Sequence, residues 1–355
     1  MLSSSLSISF LSLFSFASFF IFLIVLYYSK KTILASLLDG DFSKPQAFHK
    51  EAIPRCGGLA FVLSFVTFIA LYYFIFEKIL FDYLTIILLL FILGFLDDIK
   101  IKVSPNIRLL LMIIILLISI NIFSINIEKT GFTFLNSWLE NHIFKYIFVL
   151  LCFLFIINGT NLIDGFNGLL AWHMIIINSI LIYVNMLNNQ NDFVIILTGQ
   201  TIVFFIFLLF NFPGAKMFLG DGGSYAAGSL IALNVIKTSL INPDIHPFFF
   251  CVILFYVFYE VFFSFFRKIF KKKSPLKPDR KHLHMLVFDK LSNLNLKNSN
   301  ALTGLLINLI YLSSVLPILF SFNFGHENAL FYRYWFFALL VVYTLIYVKL
   351  YKSKK

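Results

Sequence analysis

Charged side chains are scarce in this sequence, and their scarcity argues against a water-soluble globular domain. Asp, Glu, Lys and Arg make up 13% of the 355 residues, whereas about a quarter is usual in soluble domains. Hydrophobic residues reach 60%, Phe alone contributes 48 of them, and the mean hydropathy is +0.92. This composition is typical of an integral membrane protein, because the hydrocarbon core of a bilayer accepts few charges.

Cysteine is also rare, and several common catalytic motifs are missing. Cys56, Cys152 and Cys251 are too few and too scattered for a disulfide framework or a metal cluster. The sequence contains no GxxxxGKS/T, HExxH or GxSxG pattern, so it does not support a P-loop NTPase, a zincin or a serine hydrolase. No internal repeat or long linker divides the chain, and residues 1–355 are predicted to form one domain.

Long apolar segments fill most of the chain. A helix of about 17–25 apolar residues crosses a ~30 Å hydrocarbon core. The first apolar run lacks both a preceding charge and a cleavage site, which favours a span over a signal peptide. The fold class that we expect is an all-α polytopic membrane protein with about eleven transmembrane helices. The predicted spans are residues 6–28, 57–76, 79–96, 107–125, 146–162, 168–187, 193–212, 224–240, 246–266, 301–323 and 331–350.

Lysine and arginine are distributed unequally between the two predicted sides of the membrane. If the N-terminus is outside, only five of the 28 Lys and Arg residues fall on the outer side. They are Lys78, Lys129, Lys145, Lys237 and Arg333. Since cytoplasmic loops are enriched in these residues, the pattern predicts an outer N-terminus and a cytoplasmic C-terminus. A basic face next to anionic lipid also accounts for the net charge of +11 without nucleic acid.

Clusters of unusual polar residues all fall on the predicted cytoplasmic side. The clusters are IPRCGG (53–58), GFLDDIK (94–100), NGTNLIDGFNGL (158–169), NFPGAKMFLGDGGS (211–224) and PDRKHLHM (278–285). An unsatisfied amide in hydrocarbon costs several kcal/mol, so such segments lie at a membrane surface or line a wet cavity. We expect them to converge on one cytoplasmic site.

Each cluster taken alone also has a structural explanation. The paired carboxylates at 97–98 could be a solvated helix end, and the Gly and Asn residues of 158–169 could be caps or turns. Asp221 could be a turn residue, and His282 and His284 could be surface groups. The functional interpretation depends on the occurrence of all of them on one side, while the outer loops contain no comparable set.

The residue types in these clusters fit phosphoryl transfer at a membrane surface. Carboxylates beside Gly-rich turns suit Mg²⁺ held by one or two Asp together with substrate phosphates. Backbone N–H groups of Gly-flanked turns at helix starts attract phosphate oxygens, and Lys or Arg completes a pyrophosphate site. The ring of Phe218 is a candidate platform for a base. This chemistry indicates a nucleoside diphosphate compound that meets a lipid.

The patterns PRxGG, LDD, NxxNxxDGxxG, NxPxAKxFxGDxGS and DRxHLH together resemble the polyprenyl-phosphate N-acetylhexosamine-1-phosphate transferases of glycosyltransferase family 4. The resemblance implies an enzyme of the bacterial cytoplasmic membrane that transfers a sugar-1-phosphate from a UDP-sugar to undecaprenyl or a related polyprenyl phosphate. UMP would be the leaving group, and Mg²⁺ or Mn²⁺ would be the cofactor. The resemblance is also compatible with a homodimer. DRKHLHM resembles the branch that initiates O-antigen, common-antigen or teichoic-acid linkage synthesis. The phospho-MurNAc-pentapeptide branch has three consecutive His there.

The resemblance also implies roles for individual residues. Asp97 would orient the lipid phosphate or accept its proton, Asp98 would lie beside the metal, and Asp221 would bind it. The other residues implied in catalysis are Asp164, His282 and His284. The residues implied in substrate binding are Asn161, Asn167, Asn211, Phe218, Lys102, Arg108 and Arg280.

Two positions depart from the family pattern. Asn167 stands where many members have Asp, and its amide can hydrogen-bond uridine but brings no charge. Met285 replaces the last His of HxHH, and a thioether cannot donate to phosphate. A member that has lost activity therefore remains an alternative. A transporter or flippase of polyprenyl-linked sugars is another, for which polar groups near the membrane midplane are expected.

Overall fold

A computed structural model of the chain describes residues 4–29, 37–39, 52–101, 103–275, 277, 279–294, 296–323 and 328–353. Helices dominate it, and a single two-stranded antiparallel ladder pairs Leu38 with Pro54. The strands are β1 (Leu38–Asp39) and β2 (Ile53–Pro54). The helices are α1 (Ser4–Ser29), α2 (Gly57–Phe76), α3 (Phe81–Asp98), α4 (Pro105–Ile122), α5 (Thr133–Trp138), α6 (His142–Ile163), α7 (Leu169–Leu187), α8 (Asn191–Asn211), α9 (Gly220–Ile241), α10 (Pro247–Ile253), α11 (Phe255–Phe270), α12 (Leu283–Asn293), α13 (Ser299–Asn323) and α14 (Ala329–Ser353).

The predicted all-α polytopic class is confirmed. Within the described residues, nine helices are long and apolar enough to cross a membrane, namely α1, α2, α4, α6, α7, α8, α9, α13 and α14. Helices α10 and α11 meet at 76° and together could form a tenth span. The third predicted span corresponds to α3, which has 18 residues and contains Asp82, Asp97 and Asp98. The number eleven stays a prediction.

Polar residues at the breaks between apolar runs start the helices. The Ser104 hydroxyl accepts a hydrogen bond from the Ile107 N–H at 3.3 Å, and Pro105 occupies the first position of α4. Both features satisfy or remove the N–H groups that the first turn leaves unpaired. Asn141 caps α6 in the same way and accepts from the Ile143 N–H at 2.9 Å.

Helix α9 lies at the centre of the bundle. It is the most buried of the candidate spans, and it packs most extensively against α3 and α6. Small residues permit this close approach: a Cβ added to Gly228 would lie 2.3 Å from the Thr160 hydroxyl oxygen of α6. That hydroxyl also hydrogen-bonds to the Ser224 carbonyl at 3.0 Å. The packing holds the start of α9 beside the ends of α3 and α6.

Ion pairs connect the helices at the end of the bundle opposite to the start of α9. Lys237 near the end of α9 pairs with Asp82 at the start of α3. Lys78 pairs with Asp192 at 2.7 Å, and both of these side chains are exposed. Because Asp82 and Lys237 meet at that end, α3 and α9 are antiparallel, and the last residues of α3 meet the first residues of α9.

Candidate active site

Asp98 caps the N-terminus of α9. One of its carboxylate oxygens accepts from the Asp221 N–H at 3.0 Å and the other from the Gly222 N–H at 2.9 Å. Gly220 has φ +77°, and a Cβ there would lie 2.6 Å from the Asp98 carboxylate. The turn therefore needs glycine for both its backbone conformation and its space. The positive end of the helix dipole stabilises the nearby carboxylate.

Two arginines join three carboxylates into one cluster. The Arg108 guanidinium donates to Asp97 at 3.0 Å and to Asp221 at 2.9 Å. The Arg55 guanidinium lies 3.5 Å from Asp98 and 3.9 Å from Asp221. The side chains of Asp97 and Asp221 keep 35% and 19% exposure,. A polar ligand can therefore reach the cluster, which we call the carboxylate–arginine cluster (Arg55, Asp97, Asp98, Arg108 and Asp221).

Burial shapes the ionisation of two carboxyl groups that follow the predicted spans. Burial raises the pKa of Asp98 to about 7, the Asp221 carboxylate adds to the rise, and the backbone N–H groups and Arg55 oppose it. Burial also raises the pKa of Asp164, and Arg55 opposes that rise. Asp221 and Asp98 contribute to the Asp164 shift as well. Asp164 is therefore close enough to the carboxylate–arginine cluster for the charges to influence one another.

The 158–169 segment comprises the end of α6, the turn at 164–168 and the first residue of α7, and it lies next to this cluster. Asn161 accepts a hydrogen bond from the Ser224 hydroxyl at 3.0 Å, one turn along α9 from Asp221. The same hydroxyl lies 3.1 Å from the Asp221 carbonyl oxygen. Asn161 thus lies against the start of α9, whereas Gly159 packs against Val257 of α11.

Asn211 and Asn167 connect this turn to the segment that precedes α9. Asn211 accepts from the Gly168 N–H at 2.6 Å and donates to the Met217 carbonyl at 3.0 Å. Asn167 donates to the Pro213 carbonyl at 2.9 Å. Both side-chain amides therefore have a structural task in holding two loops together. A direct contact of either amide with uridine stays a prediction.

Phe218 lies just before α9, and its backbone pairs with the segment that precedes α2. Its N–H donates to the Pro54 carbonyl at 2.9 Å, and its carbonyl accepts from the Gly57 N–H at 2.9 Å. The ring is half-buried. These bonds join IPRCGG to FLGDGG and place Arg55 beside Asp221, so four of the five polar clusters share one end of the bundle.

The fifth cluster reaches the site through His284. The His284 ring packs against Phe166 of the α6–α7 turn, with centroids 5.5 Å apart. His282 and His284 are both buried, and they bind Glu260 at 2.8 Å and Tyr256 at 3.1 Å. They are therefore not the surface groups that the sequence left open as an alternative.

The two remaining basic residues of the predicted site are Arg280 and Lys102. Arg280 lies 3.6 Å from Asp289, and its side chain is 49% exposed. Lys102 falls outside the described residues. Their predicted contacts with substrate stay predictions.

The donor set is compatible with a divalent cation that also binds substrate. In the part of the chain that the structure describes, no three His, Cys, Asp or Glu side chains form a metal site of their own. Asp98 and Asp221 nevertheless lie close enough together for one positively charged group, the Arg55 guanidinium, to lie near both. Mg²⁺ needs only one or two carboxylates where phosphates complete its coordination, so these two residues fit the predicted metal role.

Sequence reasoning did not assign roles to several residues that build the site. Arg55 belongs to the PRxGG pattern but was given no role. Tyr225 was also given none, and the centroid of its ring lies 5.9 Å from Cζ of Arg108. Glu260 was also missed, although a lone carboxylate in the apolar run 252–266 is a signal for a buried polar contact.

Comparisons with known proteins agree with this arrangement. The sequence model of glycosyl transferase family 4 matches residues 80–239, which include α3, α6 and the start of α9. An undecaprenyl-phosphate alpha-N-acetylglucosaminyl 1-phosphate transferase of Thermotoga maritima is 26% identical over 86% of this chain and 90% of its own length. A probable undecaprenyl-phosphate N-acetylglucosaminyl 1-phosphate transferase of Bacillus subtilis is 29% identical over 66% of both chains. A phospho-N-acetylmuramoyl-pentapeptide-transferase of Dictyoglomus turgidum is 29% identical over 64% of this chain and 73% of its own length. The chain is thus similar to glycosyl transferase family 4 over residues 80–239, and to transferases of polyprenyl-linked sugar synthesis over most of its length.

Proposed function

We propose that this membrane protein is a sugar-phosphate transferase that moves a sugar-1-phosphate from a UDP-sugar to undecaprenyl phosphate or a related polyprenyl phosphate. The observation that carries the proposal is the carboxylate–arginine cluster at one end of an apolar bundle. The cluster combines groups that bind anionic phosphates with groups that bind cations. Such a site suits a reaction between a water-soluble diphosphate and a phosphate anchored in lipid.

The reaction is a displacement at phosphorus. An oxygen of the lipid phosphate forms a bond to the β-phosphorus of the UDP-sugar, the bond from that phosphorus to the bridging oxygen breaks, and UMP leaves with the electron pair. Arg55 and Arg108 neutralise charge on the phosphates, and Asp97 orients the attacking phosphate or takes its proton. Positioning and charge neutralisation supply most of the catalysis in such transfers.

Asp221 and Asp98 would hold Mg²⁺, with Mn²⁺ as a substitute. When bound, the ion would neutralise the pyrophosphate and stabilise the charge of the leaving group. Arg108 would then keep its contact with Asp97, and the two N–H groups that bind Asp98 would hold that carboxylate at the start of α9 beside Asp221.

The donor that we propose is a UDP-N-acetylhexosamine. Two relatives are named for N-acetylglucosaminyl 1-phosphate transfer, and DRKHLHM differs from the three consecutive His of the phospho-MurNAc-pentapeptide branch. The reaction would initiate a cell-surface polysaccharide such as O-antigen or a teichoic-acid linkage unit. The proposed location is the bacterial cytoplasmic membrane, with the site on the cytoplasmic side, and the protein would act alone or as a homodimer.

The test is a lipid-dependent assay with the purified protein. The full chain in detergent is incubated with undecaprenyl phosphate, Mg²⁺ and, in turn, UDP-GlcNAc, UDP-GalNAc or UDP-MurNAc-pentapeptide, and UMP and the lipid product are measured. We expect UMP release only with lipid, a metal ion and a UDP-aminosugar, and a loss of turnover in EDTA. Turnover with the pentapeptide donor alone would overturn the choice of branch. Lipid-linked sugar that crosses a proteoliposome membrane without UMP release would favour a flippase instead.

A further inference from the structure

Glu260 is a carboxylate buried inside the apolar helix α11. Only 1% of its surface is exposed. Three donors surround it: the His282 ring through Nδ1 at 2.8 Å, the Leu283 N–H at 3.2 Å and the Tyr343 hydroxyl at 2.5 Å. A buried carboxylate is costly unless it is paired and hydrogen-bonded. Glu260 therefore joins α11, the loop before α12, and α14.

Further contacts fix the same loop to the same two helices. Arg267, two turns along α11 from Glu260, donates to both carboxylate oxygens of Asp279 at 2.7 and 3.1 Å. Lys268 donates to the Lys277 carbonyl at 2.7 Å. The Tyr347 hydroxyl of α14 donates to the Lys281 carbonyl at 3.0 Å. These contacts hold Asp279, Lys281 and the Lys277 backbone against the helices, next to the two histidines.

One nitrogen of His282 is left for a ligand. Its Nδ1 is engaged by Glu260, whereas its buried Nε2 has no hydrogen-bond partner among the described residues. The nearest carboxylate to Nε2 is that of Asp279, at 3.6 Å, which is beyond hydrogen-bonding distance. Buried polar atoms in native proteins are nearly always satisfied, so this unpartnered nitrogen, in a loop that packs on the α6–α7 turn through His284, points to a ligand.

The neighbouring His284 has a different hydrogen-bond partner. Its ring stacks on His282 with centroids 5.6 Å apart, and its Nδ1 pairs with the Tyr256 hydroxyl at 3.1 Å. Burial lowers the pKa of His284 to about 4, so this ring is neutral near neutral pH. A neutral His284 adds no charge beside His282, and Asp279 is already paired with Arg267.

We infer that Glu260 is a positioning residue that holds His282 as a charged donor for the diphosphate of the UDP-sugar. The inference rests on the proposed function. Diphosphate oxygens only accept hydrogen bonds, so Nε2 must carry a proton to bind one. Because Nδ1–H donates to Glu260 at the same time, the ring is then an imidazolium. A buried cation of this kind requires a counter-charge, and the Glu260 carboxylate supplies it.

A double-mutant cycle tests this role. Glu260→Gln, His282→Ala and the double variant are purified as full chains, and kcat and KM are measured for the UDP-sugar and for the lipid. We expect Glu260→Gln to lower kcat/KM for the UDP-sugar about tenfold or more, with the KM for lipid unchanged, because the Gln amide still accepts from Nδ1 but brings no charge, and charge-assisted hydrogen bonds are the stronger ones. In the His282→Ala background the same substitution should cause no further loss.

Asp82→Asn is the matched control, since Asp82 is also a paired carboxylate of a bundle helix but lies at the opposite end. Tyr343→Phe removes one donor to Glu260 and provides a milder variant if Glu260→Gln does not fold. We expect it to lower kcat/KM severalfold, again only while His282 is present. Equal losses with and without His282 would overturn the inference. Wild-type protein without transferase activity would instead overturn the proposed function.

Discussion

Among single residues, Asp221 has the central position in the carboxylate–arginine cluster. Both Arg55 and Arg108 lie within 4 Å of its carboxylate, and it stands at the start of α9. We predict that Asp221→Asn lowers kcat by about 100-fold or more, since a preorganised charge in such a site has effects of that size. The measurement is UMP release by the purified variant at saturating Mg²⁺ and substrates.

Asp192→Asn is the control for Asp221. Asp192 pairs with Lys78 in an exposed position at the other end of the bundle, and surface pairs contribute about 0–1 kcal/mol. We expect wild-type kcat and nearly unchanged thermal unfolding for this variant. Near-normal turnover of Asp221→Asn would contradict the assignment of Asp221 to the reaction.

Phe218 offers a different kinetic signature. We predict that Phe218→Ala raises the KM for the UDP-sugar with little change in kcat, because a base stacked on the ring would be stabilised equally in the ground and transition states. The expected loss is about 1–3 kcal/mol of binding free energy. Binding of UMP, measured by calorimetry, should weaken to a similar extent. An unchanged affinity for UMP would show that the ring does not carry the base.

The sequence predicted residue types better than residue tasks. It identified Asp97, Asp98 and Asp221 because adjacent carboxylates and GDGG turns are unusual in an apolar chain. It could not predict that Arg108 bridges Asp97 and Asp221, since that contact joins residues 113 positions apart. Such pairings depend on helix packing, and no local pattern encodes them.

At the scale of elements, the contact between α3 and α9 positions the site. A Cβ added to Gly94 would lie 2.5 Å from the Asp221 carbonyl oxygen, which is backbone and cannot move aside cheaply. We predict that Gly94→Ala lowers the free energy of unfolding by about 1–3 kcal/mol, the usual cost of overpacking. It should also reduce kcat, because the backbone that the new methyl group displaces is that of Asp221. Thermal unfolding in detergent and the UMP assay measure the two effects.

Gly214→Ala is the matched control, since a Cβ at Gly214 meets nothing within 4 Å. Its unfolding temperature should be unchanged or slightly higher, because alanine reduces the entropy of the unfolded chain. If Gly94→Ala behaves like Gly214→Ala, the close approach of α3 and α9 does not limit stability.

The positions of the helices were more predictable from the sequence than the bends between them. Apolar runs between polar breaks located most of the long helices, because the bilayer thickness sets their length. The 76° bend between α10 and α11 was not predicted, and residues 246–266 were expected to form one span. Leu254 at the bend is as apolar as its neighbours, so hydrophobicity alone contains no sign of it.

For the whole molecule, alternation of spans brings distant loops to one side. The convergence of the polar clusters follows from this alternation, and the contacts from Arg55 to Asp221 and from Asn161 to Ser224 agree with it. The contacts do not depend on which side of the membrane the site faces. The prediction that the site faces the cytoplasm comes from the distribution of Lys and Arg, since membrane proteins in general keep such residues on the cytoplasmic side.

Cysteine labelling tests the orientation of the whole chain. Ser137 in α5 and Lys273 after α11 are exposed at opposite predicted sides, and each is replaced by Cys in a background with Cys56, Cys152 and Cys251 changed to Ser. We predict that a membrane-impermeant maleimide labels Ser137→Cys in intact spheroplasts and Lys273→Cys only after permeabilisation. The basic residues around Lys273 should keep this loop inside, because moving each charge outward is opposed by the membrane potential. The reverse labelling pattern would place the carboxylate–arginine cluster on the outer side, where a cytosolic UDP-sugar cannot reach it.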